Sequence, residues 1–155
     1  MKTITSFTIN HNILTKGMYI SRIDGDIVTY DIRMKIPNNP QNDYLPNGAM
    51  HTIEHLFATY ARNSKYENDI VYVGPMGCRT GFYFLVRDNI SHAEALNLVQ
   101  EAFSFIKNFE GEIPGSKPIE CGNCKEHDLT EAKLIAADVV KFLANWSVEK
   151  MNYAK

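Results

Sequence analysis

The segment His51-Thr52-Ile53-Glu54-His55 sets two imidazoles and a carboxylate in an H-x-x-E-H pattern. On a helix, residues i and i+4 share one face with their roots roughly 6 Å apart, so both rings reach one metal ion. Glu54 then stands beside the ion as a base rather than as a ligand. The pattern inverts H-E-x-x-H and marks the inverzincin peptidases, but taken alone it equally describes polar residues on a solvated helix face. A second signal is Cys121-Gly122-Asn123-Cys124, which follows the turn-rich Pro114-Gly115-Ser116-Lys117-Pro118. A lone C-x-x-C is half a structural zinc site or a redox pair. The one other cysteine, Cys78, cannot supply the missing half, and a redox motif would open a helix straight after a strand. One thiolate is therefore read as a third metal ligand, with a position left open for substrate. Cys121, beside the permissive Gly122, is the better candidate, and Cys124 reads as a buried or spare thiol. The third signal is Cys78 in Gly74-Pro75-Met76-Gly77-Cys78-Arg79-Thr80-Gly81. A free cysteine is more often a small buried hydrophobe. Glycines on both sides, a proline and Arg79 favour instead a thiol held at a tight turn for thiolate chemistry.

Several elements must position these groups. Residues 27–36 alternate: Val28, Tyr30, Ile32, Met34 and Ile36 face one way, Ile27, Thr29, Asp31, Arg33 and Lys35 the other. This is a half-buried strand with a core face and a wetter face. Gly17–Asp24 reads as a preceding strand, joined through a turn at Asp24-Gly25-Asp26. Residues 48–62 read as a helix capped by Asn47, with Met50, Ile53, Leu56, Phe57 and Tyr60 along its apolar stripe. Ile70–Val73 and Gly81–Arg87 read as a hairpin around the Cys78 bend. Ser91-His92-Ala93-Glu94 is a capping box that opens a helix to about Phe109. Asp128-Leu129-Thr130-Glu131 opens a last helix expected to run past Trp146. His92 is read as a surface residue without a role. The order predicts a single α+β domain over 1–155, with helices packed on one mostly antiparallel sheet.

Composition bounds the function. The chain has 155 residues, 45% apolar and 22% charged, which is ordinary for a folded soluble domain. A net charge of −2 gives no electrostatic footprint for nucleic acid or an anionic membrane. The longest apolar run, Phe82–Val86, is far short of a membrane span, and the N-terminus shows no signal-peptide pattern. An odd count of three cysteines suits reduced thiols, so the expected location is the cytoplasm.

With these residues laid out, the chain resembles the LuxS family of S-ribosylhomocysteine lyases. The resemblance rests on His51-Thr52-Ile53-Glu54-His55-Leu56, Pro75-Met76-Gly77-Cys78-Arg79-Thr80-Gly81-Phe82-Tyr83 and Cys121-Gly122-Asn123. Ser6-Phe7, His11-Asn12, Tyr30-Asp31-Ile32-Arg33 and His127-Asp128-Leu129 add to it, in family order along nearly the whole chain. The resemblance implies a small α+β fold, a homodimer with two sites at the subunit interface, and one ferrous ion per subunit that zinc or cobalt can replace. By matching position, His51, His55 and Cys121 would be the ligands, and Glu54 and Cys78 the acid/base pair. Ser6 and His11 would reach the site from the partner subunit, and Arg33 and Arg62 would line the substrate pocket.

The implied reaction splits the thioether of S-ribosylhomocysteine without redox chemistry. The sugar carbonyl is shifted to C2 and then C3, and β-elimination releases homocysteine and 4,5-dihydroxy-2,3-pentanedione. The latter is the precursor of autoinducer-2, the quorum-sensing signal, and the step belongs to the activated methyl cycle. Two bases and a Lewis acid suit repeated proton removal beside a carbonyl. The resemblance assigns the early proton transfers to Cys78 and the later ones to Glu54. One position departs: several members carry an aspartate six residues before the cysteine, at the homocysteine end, where this chain has Tyr72. That change concerns recognition of the substrate's amino group, not the chemistry. A metallopeptidase built on H-x-x-E-H, or a closed zinc module using Cys124, are the competing readings.

Overall fold

The structure, a computed structural model, describes residues 1–154; Lys155, the last residue of the expected unit, lies outside the described residues. Strands β1 (Gly17–Asp24), β2 (Ile27–Arg33), β3 (Ile70–Pro75) and β4 (Gly81–Arg87) form one sheet in the order β1-β2-β4-β3. Every neighbouring pair is antiparallel. Helices α1 (Asn47–Arg62), α2 (His92–Lys107) and α3 (Leu129–Leu143) complete an α+β fold. No helix among the described residues is long and apolar enough to cross a membrane.

The core follows from the alternation in the strands. Val28, Tyr30 and Ile32 of β2 and Phe82, Phe84 and Val86 of β4 are buried on one face. The apolar stripes of α1 and α2 close over them. Phe57 lies 5.2 Å from Phe84 and 5.3 Å from Phe103 between ring centroids, so one aromatic ties sheet, α1 and α2 together. Truncating such a ring to alanine costs about 3–5 kcal/mol.

Helix boundaries follow their caps, with two shifts from expectation. Ser91 and Glu94 form the reciprocal capping box of α2, and the Asp128 carboxylate accepts from the Glu131 N–H to open α3. Asn47 does not cap α1: it is the first helical residue, and Pro46 precedes it without a side-chain cap. The start of α1 meets the approach to α3, where the Asp128 N–H donates to the Gly48 carbonyl. Helix α3 stops at Leu143 rather than passing Trp146. The indole N–H of Trp146 donates to the Met18 carbonyl at the start of β1, which draws the chain out of helical course.

The wetter face of β2 is wet only in its first half. Ile27 and Thr29 are half-buried, but Asp31 and Arg33 are buried, at 0% and 2% exposure. Two buried charges are tolerable only when paired and bonded, and here they are. Arg33 grips Asp31 through Nε (3.1 Å) and Nη2 (2.6 Å), and the Tyr153 hydroxyl donates to the same carboxylate at 2.8 Å. The strand itself ends at Arg33, and Met34 and Lys35 both donate their N–H to the Thr80 carbonyl beside the Cys78 turn.

Candidate active site and metal centre

Two clusters carry the chemistry. The first is built from α1 and the loop before α3. His51, His55, Cys121 and His127 each offer one donor atom, and these atoms all lie within 4.8 Å of one another. Each ring is oriented by a fixed acceptor. His51 Nδ1 donates to the Glu126 carbonyl at 2.8 Å, and His55 Nδ1 to the Pro114 carbonyl at 2.8 Å. A carbonyl only accepts, so both rings keep their proton on Nδ1 and turn a bare Nε2 inward. Such carbonyl partners fix tautomer and ring plane in metal-binding histidines. Cys121 Sγ lies 3.4 Å from His51 Nε2 and accepts the Asn123 N–H, also at 3.4 Å. A sulfur that accepts a backbone N–H is placed to serve as a thiolate.

His127 was expected only as part of a supporting motif, yet it is the fourth member of this cluster. Thr52 Oγ1 donates to the Gly48 carbonyl and accepts the Asp128 N–H. The remaining contact, 3.1 Å to His127 Nδ1, must therefore be donated by the ring. That leaves His127 Nε2 bare as well, and it is buried without a hydrogen-bond partner. Burial, followed by the neighbouring His51 and His55, holds the His127 pKa below its ordinary value, so the ring stays neutral. The sequence signal was present: a histidine six residues beyond Cys121, next to the residue that caps α3. The group fits a transition metal. Three imidazole nitrogens and one thiolate suit iron(II), cobalt or zinc, and an unpartnered buried nitrogen is accounted for by an ion.

Glu54 is half-buried on α1, between the two histidines of that helix. Arg62 stands seven residues beyond His55 in the last turn of α1, two turns along the same face. It is exposed, and it donates to the carbonyls of Ile70 (3.4 Å) and Val71 (3.2 Å) at the start of β3. Next along that strand is Tyr72, half exposed, with its ring laid over Gly74. A Cβ at Gly74 would meet the Tyr72 hydroxyl at 2.2 Å, so this aromatic needs a glycine two residues on. Cys124 is a free thiol outside the metal cluster, so the closed site with two cysteines does not form.

The second cluster surrounds Cys78. A cavity of about 470 Å³ is lined by Ser6, His11, Arg33, Cys78, Thr80 and Tyr83, among others. The Cys78 thiol is exposed into it. Its turn is held by hydrogen bonds from the Met76 N–H to the Gly81 carbonyl and from the Arg79 N–H to the Met76 carbonyl. Arg79 takes the left-handed conformation at φ 58°, a costly state for a side-chain-bearing residue and one that recurs at functional sites. Gly81 has no substitute, since a Cβ there would sit 2.1 Å from the Ile32 carbonyl oxygen. The Arg79 guanidinium is directed to the Leu45 carbonyl and the Tyr44 ring. The group that touches the sulfur is Thr80, at 3.0 Å, itself bonded to Arg33 at 2.6 Å. Burial alone would lower the Arg33 pKa, but the charge and hydrogen bond of Asp31, with Cys78 and Tyr153 adding to them, together hold the guanidinium above its usual value. Burial also raises the Tyr83 hydroxyl, with Asp31 adding to it.

The two clusters do not share a cavity within one chain. None of His51, Glu54, His55, Cys121 and His127 lines the cavity of Cys78. Ser6 and His11 line one cavity with Cys78 and Arg33. Arg62 does not line that cavity and stands on the helix that carries His51 and His55.

Comparison with known proteins agrees with these blocks. The S-ribosylhomocysteinase (LuxS) family profile matches residues 4–150. The S-ribosylhomocysteine lyase of Phocaeicola vulgatus is 52% identical over 138 aligned positions, covering 86% of this chain and 84% of that protein. Proteins of the same name from Porphyromonas gingivalis and Borreliella afzelii are 46% and 44% identical, each over 99% of both chains. On this match and this similarity along nearly the whole length, the chain belongs to the S-ribosylhomocysteinase (LuxS) family.

Proposed function

We infer that this protein is an S-ribosylhomocysteine lyase and that residues 1–155 act as one catalytic unit. It converts S-ribosylhomocysteine to homocysteine and 4,5-dihydroxy-2,3-pentanedione. The observation that carries this reading is the meeting of His51, His55, Cys121 and His127 around one point, in a chain that also presents Cys78 in a polar cavity. His51, His55 and Cys121 would hold one ferrous ion per subunit, which zinc or cobalt would replace. An ion there supplies a Lewis acid that makes protons beside a carbonyl removable.

The chain's own residues do the rest. The Cys78 thiolate takes a proton from the hydroxyl-bearing sugar carbon beside the carbonyl and returns it to the former carbonyl carbon, while the hydroxyl proton passes to the former carbonyl oxygen, which moves the carbonyl by one carbon. Glu54, on the helix that carries His51 and His55, performs the later transfer and delivers a proton to the departing homocysteine sulfur. Arg33, Ser6 and His11 bind the sugar's hydroxyls from the Cys78 side, while Arg62 binds substrate from the metal side.

Two clusters on separate surfaces of one chain make a working site when two copies meet. The reading therefore includes a homodimer in which each site takes its metal cluster from one subunit and its Cys78 cavity from the other. No nucleic acid or membrane is involved. Three free thiols, two of them assigned to chemistry, fit a reducing cytoplasm. The peptidase reading gains no support, since the H-x-x-E-H helix is completed here by Cys121 and His127. The test is direct. Anaerobically prepared ferrous protein mixed with S-ribosylhomocysteine releases homocysteine, detected with a thiol reagent, and Cys78→Ala does not. Full turnover by Cys78→Ala would contradict the assigned role.

A further inference from the structure

The hydrogen bonds around Cys78 have a fixed direction. A guanidinium only donates, so Thr80 Oγ1 accepts from Arg33 Nη1 at 2.6 Å. The Thr80 hydroxyl hydrogen is thereby turned away from Arg33, and Cys78 Sγ lies 3.0 Å from that oxygen. Thr80 is buried at 3% exposure, which holds its hydroxyl between Arg33 and the Cys78 sulfur. Behind it, Arg33 is fixed by two bonds to Asp31, and Asp31 Oδ2 takes a third bond from the Tyr153 hydroxyl. Burial and the Asp31 charge keep Tyr153 protonated, hence a donor, well above its ordinary range.

Tyr153 arrives from the other end of the chain. The Met151 carbonyl accepts the Ile20 N–H at 2.8 Å along the edge of β1, and the Met151 side chain is buried. The Trp146 indole is bonded to Met18, and the Tyr153 ring stacks on Tyr19 at 5.0 Å with 17° between planes. The C-terminal segment is thus strapped to the sheet, with its phenol inserted beneath the catalytic turn.

We propose that Thr80 is a positioning residue that donates its hydroxyl hydrogen to the Cys78 thiolate, in a direction set by Arg33 and locked from the C-terminal tail through Tyr153 and Asp31. The proposal rests on the reading that Cys78 moves a proton in the lyase reaction. A neutral hydroxyl delivers the stabilising effect of a buried cation to the sulfur while the guanidinium stays bound to its carboxylate. The nucleophile keeps its basicity better than it would in a direct ion pair. The other groups facing the sulfur are Ser6 and His11 from the N-terminal segment, Tyr44 from the loop before α1 and Tyr83 of β4. Substitution at position 80 leaves all of them in place.

The test uses metal-loaded protein and two readouts: the rate of iodoacetamide labelling at Cys78, followed by peptide mass spectrometry at pH 7, and steady-state kinetics. A hydrogen bond to a charged group corresponds to about tenfold or more in an equilibrium. Thr80→Val is expected to slow Cys78 labelling and kcat each by about that factor, with KM changed far less. Thr80→Ser, which keeps the hydroxyl, stays close to the parent, and Tyr153→Phe falls between the two. Labelling of Thr80→Val at the parent rate overturns the proposal, as does a serine variant slowed as much as the valine one. If Thr80→Val fails to fold, Tyr153→Phe decides: parent-like labelling overturns the lock, slowed labelling with an unchanged melting temperature supports it. Slow labelling of Thr80→Val beside full turnover by Cys78→Ala separates the two ideas, since the contact then stands and the role of Cys78 does not.

Discussion

The metal-type cluster and the Cys78 cavity are built by different means. Two of the four donors in the cluster, His51 and His55, stand about a turn apart on α1, while Cys121 and His127 come from the long loop before α3, which also supplies the Glu126 and Pro114 carbonyls that aim the helix histidines. The cavity takes its residues from the N-terminal segment, β2, the turn between β3 and β4, and β4. Its deepest support, Tyr153, is 122 positions from the aspartate it holds. A cluster held between one helix and one loop depends on the identity of its ligands. A long-range cavity depends on the whole sheet being in register, where β2 pairs with β4 from Ile27↔Arg87 to Arg33↔Gly81. Damage to the first is expected to appear as lost metal, and damage to the second as lost turnover with the metal retained.

The largest expected effect follows from the cluster. Cys121→Ala removes the one thiolate among its donors, and the variant is expected to purify with little metal and no measurable lyase activity, read by elemental analysis and homocysteine release. Retention of a full metal complement would remove the sharpest contrast between the regions. Next is Cys78→Ala, with kcat lowered by about 10²–10⁴-fold, the usual contribution of a positioned base, while metal content and melting temperature stay at parent values. Smaller again is Thr52→Val. It removes the acceptor of His127 Nδ1 and frees that ring to turn. Loss of such an orienting partner lowers metal affinity by about 10–100-fold, measured by competition with a chelator.

The smallest effect is on alkaline stability. Burial raises the Tyr30 hydroxyl to about 12, and it also contacts His92 Nδ1 at 2.6 Å. A raised folded-state pKa gives stability that is complete below the unfolded value near 10 and is lost as pH climbs towards 12. Tyr153, raised in the same direction, adds to the loss. Thermal melts of Tyr30→Phe between pH 10 and 12 are expected to fall less steeply than those of the parent. Equal slopes would show that Tyr30 does not carry the difference.

Distance along the chain governs what the sequence made legible. The H-x-x-E-H spacing announced two ligands, because helical geometry alone converts i and i+4 into neighbours. Capping boxes announced the starts of α2 and α3, because each uses only residues within one turn. The role of His127 is not legible in the sequence because its orienting partner is Thr52, far along the chain on α1. His92 was read as a surface residue for the same reason: its partner, Tyr30, is on β2. Asp31 and Arg33 were placed on a wet face because nothing near them in sequence foretells that the C-terminal tail will cover them. Asn47 looked like a cap by residue type, but Pro46 took the preceding position and Asn47 became the first helical residue. Alternation and caps are local codes, whereas burial of a polar pair is set by the rest of the chain.

The most direct test of the two-copy site is complementation. Cys78→Ala and Cys121→Ala damage opposite halves, so each homodimer is expected to be inactive. Co-expression of the two chains with different tags yields mixed dimers that hold one site with both halves intact. Release of homocysteine by the purified mixed dimer, absent from either parent variant, is the predicted result. A mixed dimer as inactive as its parents would contradict a site assembled from the metal cluster of one copy and the Cys78 cavity of the other.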